Sequence, residues 1–128
     1  DELVKLINMY DDDNYFKLFV ENNSDATPTT WLCPSSDIVP PEITGGHNKI
    51  GIRITNHEVS CELCKVLDFP IISTSANISG QDPVQILQDC INIFGKDVDY
   101  IIKGPIGKNK KPSRIIDLIS KKVLREGG

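Results

Sequence analysis

The chain has 128 residues, enough for one domain and too few for two ordinary ones. Fourteen Lys and Arg against eighteen Asp and Glu leave a formal net charge of −4, which excludes a uniformly cationic nucleic-acid coat. Hydrophobic residues make up 39% and charged residues 25%, the balance of a globular α/β or α+β domain; no apolar run approaches the roughly 20 residues of a membrane helix, and the acidic start does not read as a signal peptide.

Residues 1–25 carry seven acids against two lysines. Leu3, Leu6 and Ile7, then Tyr15, Leu18 and Phe19, have helical spacing, so two short helices are expected around Asp11–Asp13. The three aspartates fit a helix start, where carboxylates meet the positive end of the dipole. Residues 29–34 read as a strand stopped by Pro34, and a loop with Pro40, Pro41, Gly45 and Gly46 is expected to follow. Lys49–Ile54 then alternates: Ile50, Ile52 and Ile54 point to the core and Arg53 to the opposite face.

Asn56 is expected to cap a helix over 57–67, with Val59, Leu63, Val66 and Leu67 as its apolar stripe. Pro70–Ile72 reads as a short buried strand running into Ser73-Thr74-Ser75-Ala76-Asn77. A further helix is expected from Asp82-Pro83, with Val84, Leu87, Ile91 and Phe94 as its stripe and Gly95 as its stop. Strand candidates at 99–103, 114–119 and 122–125 finish the chain. Residues 103–125 hold eight basic side chains against one acid, Asp117, a local charge suited to a polyanion such as ATP or tRNA; a solvated lysine loop explains Lys108–Lys111 equally well.

Four cysteines are present, and Cys61 and Cys64 form a C-x-x-C pair, a spacing shared by redox motifs and half zinc sites. No second pair and no His pair completes a tetrahedron, so the cysteines are read as reduced, largely buried thiols of a cytoplasmic protein, and no metal site made of protein side chains is identified.

Ser73-Thr74-Ser75-Ala76-Asn77 is the least generic stretch. Loops leaving the carboxyl ends of buried strands are where open α/β sheets place ligands. Three successive hydroxyls and an amide, with Ala76 small enough for close backbone approach, suit phosphate or carboxylate oxygens. The stretch holds no base, thiol or metal ligand, so it is a binding and positioning element; such clusters are also ordinary turn formers.

Ile52-Arg53-Ile54-x-x-His57, Pro70-Ile71-Ile72-Ser73-Thr74-Ser75-Ala76-Asn77-Ile78-Ser79-Gly80, Pro112-Ser113-Arg114-Ile115-Ile116-Asp117 and Leu124-Arg125-x-Gly127 together resemble the YrdC/TsaC family of threonylcarbamoyl-AMP synthases. Thr30-Trp31 with Pro34 is similar to that family's strand after a Pro-Gly-Pro stretch, which here reads Ala26-Thr27-Pro28. The resemblance implies an α/β fold, a YrdC-like twisted mixed sheet flanked by helices with a ligand cleft on one face. It further implies one YrdC-like domain over 1–128 that is N-terminally incomplete relative to the family. It implies a reaction in which L-threonine, bicarbonate and ATP, with Mg²⁺, give threonylcarbamoyl-AMP and pyrophosphate. A downstream threonylcarbamoyl transferase complex then acts on tRNA. Carried over by motif, Ser73, Thr74, Ser75 and Asn77 hold phosphates and carbamate, Arg53 lines the cleft, Ser113 contacts nucleotide or threonine, and Arg125 completes the nucleotide site. Two departures stand out: the family's opening strand and its Lys/Arg-rich motif have no match, and Arg114 stands where Thr is usual. The alternatives are a non-catalytic nucleotide- or RNA-binding module of the same fold, and the carbamoyl-transfer domain of larger maturation proteins, whose flanking segments this sequence lacks.

Overall fold

The structure, a computed structural model, describes residues 28–107 and 111–127. The two helices expected over residues 1–25, and Lys108 and Lys110 of the lysine loop, lie outside them. The chain divides into two compact units, one formed by Asp1–Ile71 with Lys111–Gly128, the other by Ile72–Lys110.

The first unit is built on a four-stranded sheet. Its strands are β1 (Thr29–Pro34), β2 (Lys49–Ile52), β3 (Arg114–Asp117) and β4 (Val123–Arg125), in the order β2-β1-β3-β4. β1 runs antiparallel to β2 and parallel to β3, and β3 runs antiparallel to β4, so the sheet is mixed as expected. The parallel pair joins segments more than eighty residues apart, while β3 and β4 form a hairpin closed by Lys121 N–H to Asp117 O and Asp117 N–H to Lys122 O, both 2.9 Å.

Register sorts the side chains onto two faces, because residues directly opposite each other in a ladder share a face. Trp31 lies opposite both Ile52 and Ile116, and Cys33 opposite Ile50. With Val39 and Leu118 these make the buried core, and Ile54 packs against it. Sequence alternation had placed Ile50, Ile52 and Ile54 here, and the structure agrees; β2 itself ends at Ile52, two residues early. The other face carries Thr30, Leu32 and Pro34 of β1, Lys49 and Gly51 of β2, Ile115 and Asp117 of β3, and Arg125 of β4. That face is the chemically varied one.

Several expectations are corrected. The loop after β1 contains a one-turn helix, α1 (Pro41–Thr44), with proline in its first turn and Gly45 closing it at φ 64, the left-handed conformation glycine adopts at no steric cost. The next helix, α2 (Glu58–Leu67), has His57 and not Asn56 at its N-cap position, without a side-chain capping bond; the Thr55 hydroxyl accepts the His57 N–H at 3.1 Å. Its stripe is not buried. Val66 is 81% exposed, and among the described residues no strand or helix covers that face.

Pro70–Ile72 forms no strand, and Ile72 is 73% exposed; among the described residues its backbone has no ladder partner, and without one an apolar run stays irregular. Residues 99–103 are irregular for the same reason. In the second unit, α3 (Leu87–Phe94) starts five residues after Asp82, because the Val84 N–H is tied to Ala76 O at 2.9 Å and holds that stretch to the preceding turn. Gly95 ends α3 as expected, and Val84, Leu87, Ile91 and Phe94 are all only half-buried. Strand β3 stops at Asp117, where the chain turns. All four cysteines are free, but only Cys33 is buried; Cys61, Cys64 and Cys90 are half-buried.

Candidate functional site

The expected site residues fall in both units. Arg53, Ser113 and Arg125 belong to the sheet unit, and Ser73, Thr74, Ser75 and Asn77 to the other.

In the second unit the Ser73–Asn77 stretch is a solvent-facing turn whose four expected ligand residues are exposed or, for Asn77, half-buried. Ser75 Oγ donates to Asn77 Oδ1 at 2.5 Å, Asn77 Nδ2 donates to Ile78 O at 3.0 Å, and the Asn77 N–H donates to Ser75 O at 3.1 Å. The amide is thus held with its oxygen toward Ser75. Ser73 and Thr74 spend no side-chain bond among the described residues, and the backbone N–H groups of Ser73, Thr74, Ser75 and Ala76 are likewise without partners there. Unpartnered N–H groups in an exposed turn are the donors an anion uses. Gly80, at φ 80, turns the chain back so that Val84 can reach Ala76.

In the sheet unit, Ser113 and Arg125 are brought together. Arg125 donates from both Nε (3.0 Å) and Nη2 (2.6 Å) to the Ser113 carbonyl. The Ser113 hydroxyl shares a 2.7 Å hydrogen bond with the Thr30 hydroxyl of β1. Gly127 comes so close to the start of β3 that a Cβ there would lie 2.6 Å from Arg114 N, so only glycine fits. Arg114, the departure from the family's Thr, turns to the buried side of the sheet, where its Nε donates to Thr29 Oγ1 at 2.7 Å. It therefore leaves the Ser113 side of the sheet free. Arg53 is exposed immediately after β2.

The same face holds an ion pair not anticipated from the sequence. Lys49 Nζ donates to Asp117 Oδ2, while Asp117 Oδ1 accepts the N–H groups of Ile119 (3.1 Å) and Ser120 (2.9 Å). Chiefly the Lys49 bond, then the Ser120 N–H, lowers the Asp117 carboxyl to about 2. Asp117 is thereby a turn clamp with no free oxygen for a substrate. On the core side, burial and then the Asp117 charge push the Cys33 thiol up to about 12, which leaves it inert. Lys121 places its ammonium 5.6 Å from the Trp31 ring centroid.

Thr30 is the residue sequence reasoning did not assign to the site. It stood within the quoted Thr30-Trp31 match, but its link to Ser113 depends on the register of a parallel pair 85 residues apart at Thr29 and Arg114, which no local pattern encodes.

A family model, Sua5_yciO_yrdC, described as "Telomere recombination", matches residues 3–127. Threonylcarbamoyl-AMP synthase of Thiobacillus denitrificans is 41% identical over 98 residues, 77% of this chain and 52% of the relative. The protein of the same name from Acinetobacter baylyi is 42% identical over 103 residues, 80% of this chain and 53% of the relative. The chain thus spans about half the length of these curated relatives. Among solved structures, P. abyssi Sua5 complexed with L-threonine superposes with a TM-score of 0.83 at 28% identity, covering 99% of this chain and 37% of that one. E. coli YciO gives 0.77 at 27% identity, covering 98% and 61%.

Proposed function

The chain belongs to the Sua5/YciO/YrdC family, and from that premise we propose that it is part of an L-threonylcarbamoyladenylate synthase. The observation that carries this reading is the identity of 41–42% to proteins named threonylcarbamoyl-AMP synthase over more than three quarters of this chain. The amine of L-threonine adds to the carbon of bicarbonate and water leaves, giving an N-carboxylate whose oxygen attacks the α-phosphorus of ATP; the bond to the bridging oxygen breaks and pyrophosphate leaves. Chemistry of this kind needs positioning and charge neutralisation more than a protein nucleophile. The residues fit that demand: hydroxyls, an amide and arginines, with no activated base among them.

In this reading the chain is one YrdC-like domain of a longer protein. Ser73, Thr74, Ser75 and Asn77 bind phosphate and carbamate oxygens, for which the Ser75 hydroxyl turns from Asn77 to the ligand. Ser113 holds nucleotide or threonine, and Arg53 and Arg125 supply positive charge. A structure of P. abyssi Sua5 holds L-threonine, in keeping with threonine as a substrate of the family.

Among the described residues no three His, Cys, Asp or Glu side chains are grouped to hold a metal, and Asp117 is committed to Lys49 and its turn. Mg²⁺ enters with the ATP substrate. The product passes to a threonylcarbamoyl transferase complex acting on tRNA in the cytoplasm. No helix among the described residues is long and apolar enough to cross a membrane.

The test is threonine-dependent pyrophosphate release by the protein expressed from its complete gene. Ser75→Ala or Asn77→Ala should lower it at least about tenfold, the scale of a lost phosphate-positioning hydrogen bond. Unchanged rates remove those residues from the site. The second reading, an RNA-binding module without catalysis, is favoured by the exposed Lys121 and Lys122 on the β3–β4 hairpin. It predicts salt-sensitive RNA binding and no pyrophosphate.

A further inference from the structure

We propose that Thr30 is a positioning residue for the Ser113 hydroxyl, an inference that rests on the assignment of Ser113 to the substrate site. Ser113 lies at the entry to β3, where a serine rotor ordinarily samples three staggered positions. Here it is held at both ends. Its carbonyl takes two donors from Arg125, and its hydroxyl shares the 2.7 Å bond with Thr30. The parallel pairing of β1 with β3, which sets Thr29 opposite Arg114 and Thr30 opposite Ile115, fixes the distance. Thr30 is itself stiff: it is β-branched within a strand, and its methyl lies 3.3 Å from where a Cβ on Gly51 of β2 would stand. Glycine at 51 is what lets that methyl sit there, and the Thr30 hydroxyl is aimed by it.

A pair of touching hydroxyls has one proton between the oxygens and one left over. When Thr30 donates, the Ser113 proton is free to bond an anionic oxygen of the ligand. When Ser113 donates, it turns a lone pair outward to an ammonium group. Thr30 thus sets which way Ser113 faces without touching the ligand, and serves either the carboxylate or the ammonium of an amino-acid substrate or an oxygen of the nucleotide. Removing only that hydroxyl releases the rotor, and the expected loss is about 3- to 10-fold in affinity.

The experiment uses the protein from its complete gene and measures calorimetric affinities for ATP and for L-threonine, with KM and kcat for pyrophosphate release and the melting temperature of each variant. Thr30→Val is nearly isosteric and lacks the hydroxyl; Thr30→Ser keeps it; Thr30→Ala guards against a valine that packs badly. The expected result is that Thr30→Val and Thr30→Ala weaken the same ligand that Ser113→Ala weakens, about 3- to 10-fold, chiefly in Kd and KM, while the other ligand is bound as before. Thr30→Ser restores the affinity, and the Thr30→Val/Ser113→Ala double variant is no weaker than Ser113→Ala alone. Unaltered affinity in Thr30→Val, additive losses in the double variant, or a Thr30→Ser as weak as Thr30→Val overturns the proposal while leaving Ser113 in the site. A Ser113→Ala protein that binds both ligands normally removes Ser113 itself, and the role of Thr30 with it.

Discussion

Replacing Asp117 by asparagine separates two functions the carboxylate combines. Asparagine retains an Oδ1 that can accept the Ile119 and Ser120 N–H groups, so the 118–120 turn survives, but it loses the charge that pairs with Lys49. The wild-type carboxyl lies at about 2 against an ordinary 3.8. The whole difference is worth about 2 kcal/mol. Lys49 is 40% exposed, which lets solvent screen the pair, so about 1–2 kcal/mol is expected from the charge. Because the folded-state value lies below the unfolded one, this stability is complete above about pH 4 and drains away as the pH falls toward 2. Urea denaturation at pH 7 should therefore show Asp117→Asn less stable than wild type by about 1–2 kcal/mol, and the gap should close between pH 4 and pH 2. Asp117→Ala, which also orphans two N–H groups, should lose more at every pH. A gap that is absent at pH 7, or that persists unchanged at pH 2, refutes the assignment of Asp117 as a charged clamp.

Lys121 sits at φ 61, a left-handed conformation that glycine adopts freely, so Lys121→Gly should be more stable than Lys121→Ala by about 1 kcal/mol in thermal denaturation. Equal stabilities of those two variants place the compensation elsewhere than in the backbone. Gly127→Ala should destabilise by about 1–3 kcal/mol, read by chemical denaturation, because the added Cβ meets the backbone of Arg114 and not a flexible side-chain end. At pH 8, iodoacetamide labelling followed by mass spectrometry should modify Cys61, Cys64 and Cys90 while sparing Cys33, whose thiol is buried and pushed up to about 12. Early labelling of Cys33 contradicts the buried placement of β1.

What the sequence made legible was local. The β-branched, aromatic run at 29–34 marked a strand, and alternation over Lys49–Ile54 marked a second strand with its buried side, because a period of two needs no knowledge of the partner. The short helix α1 escaped because four residues show no period, although Pro41 at its start and Gly45 at its end were both signals. Ile71-Ile72 and 99–103 were overread: apolar runs announce burial only where another segment covers them, and coverage is a tertiary fact. The hydroxyl-and-amide turn stood out in the letters alone as a polar cluster. Its internal wiring, Ser75 to Asn77 and Ala76 to Val84, was not, and that last bond delayed α3. The Thr30–Ser113 and Lys49–Asp117 contacts span 83 and 68 positions, and only the strand register brings them together.

Incubating the protein from its complete gene with ATP, L-threonine and ¹³C-bicarbonate, and following the adenylate by mass spectrometry, tests the functional reading most directly. The account predicts labelled threonylcarbamoyl-AMP that forms only when all three substrates are present and falls sharply in Ser75→Ala and Asn77→Ala. RNA bound in a salt-sensitive manner, with no labelled adenylate from the intact protein, would contradict it.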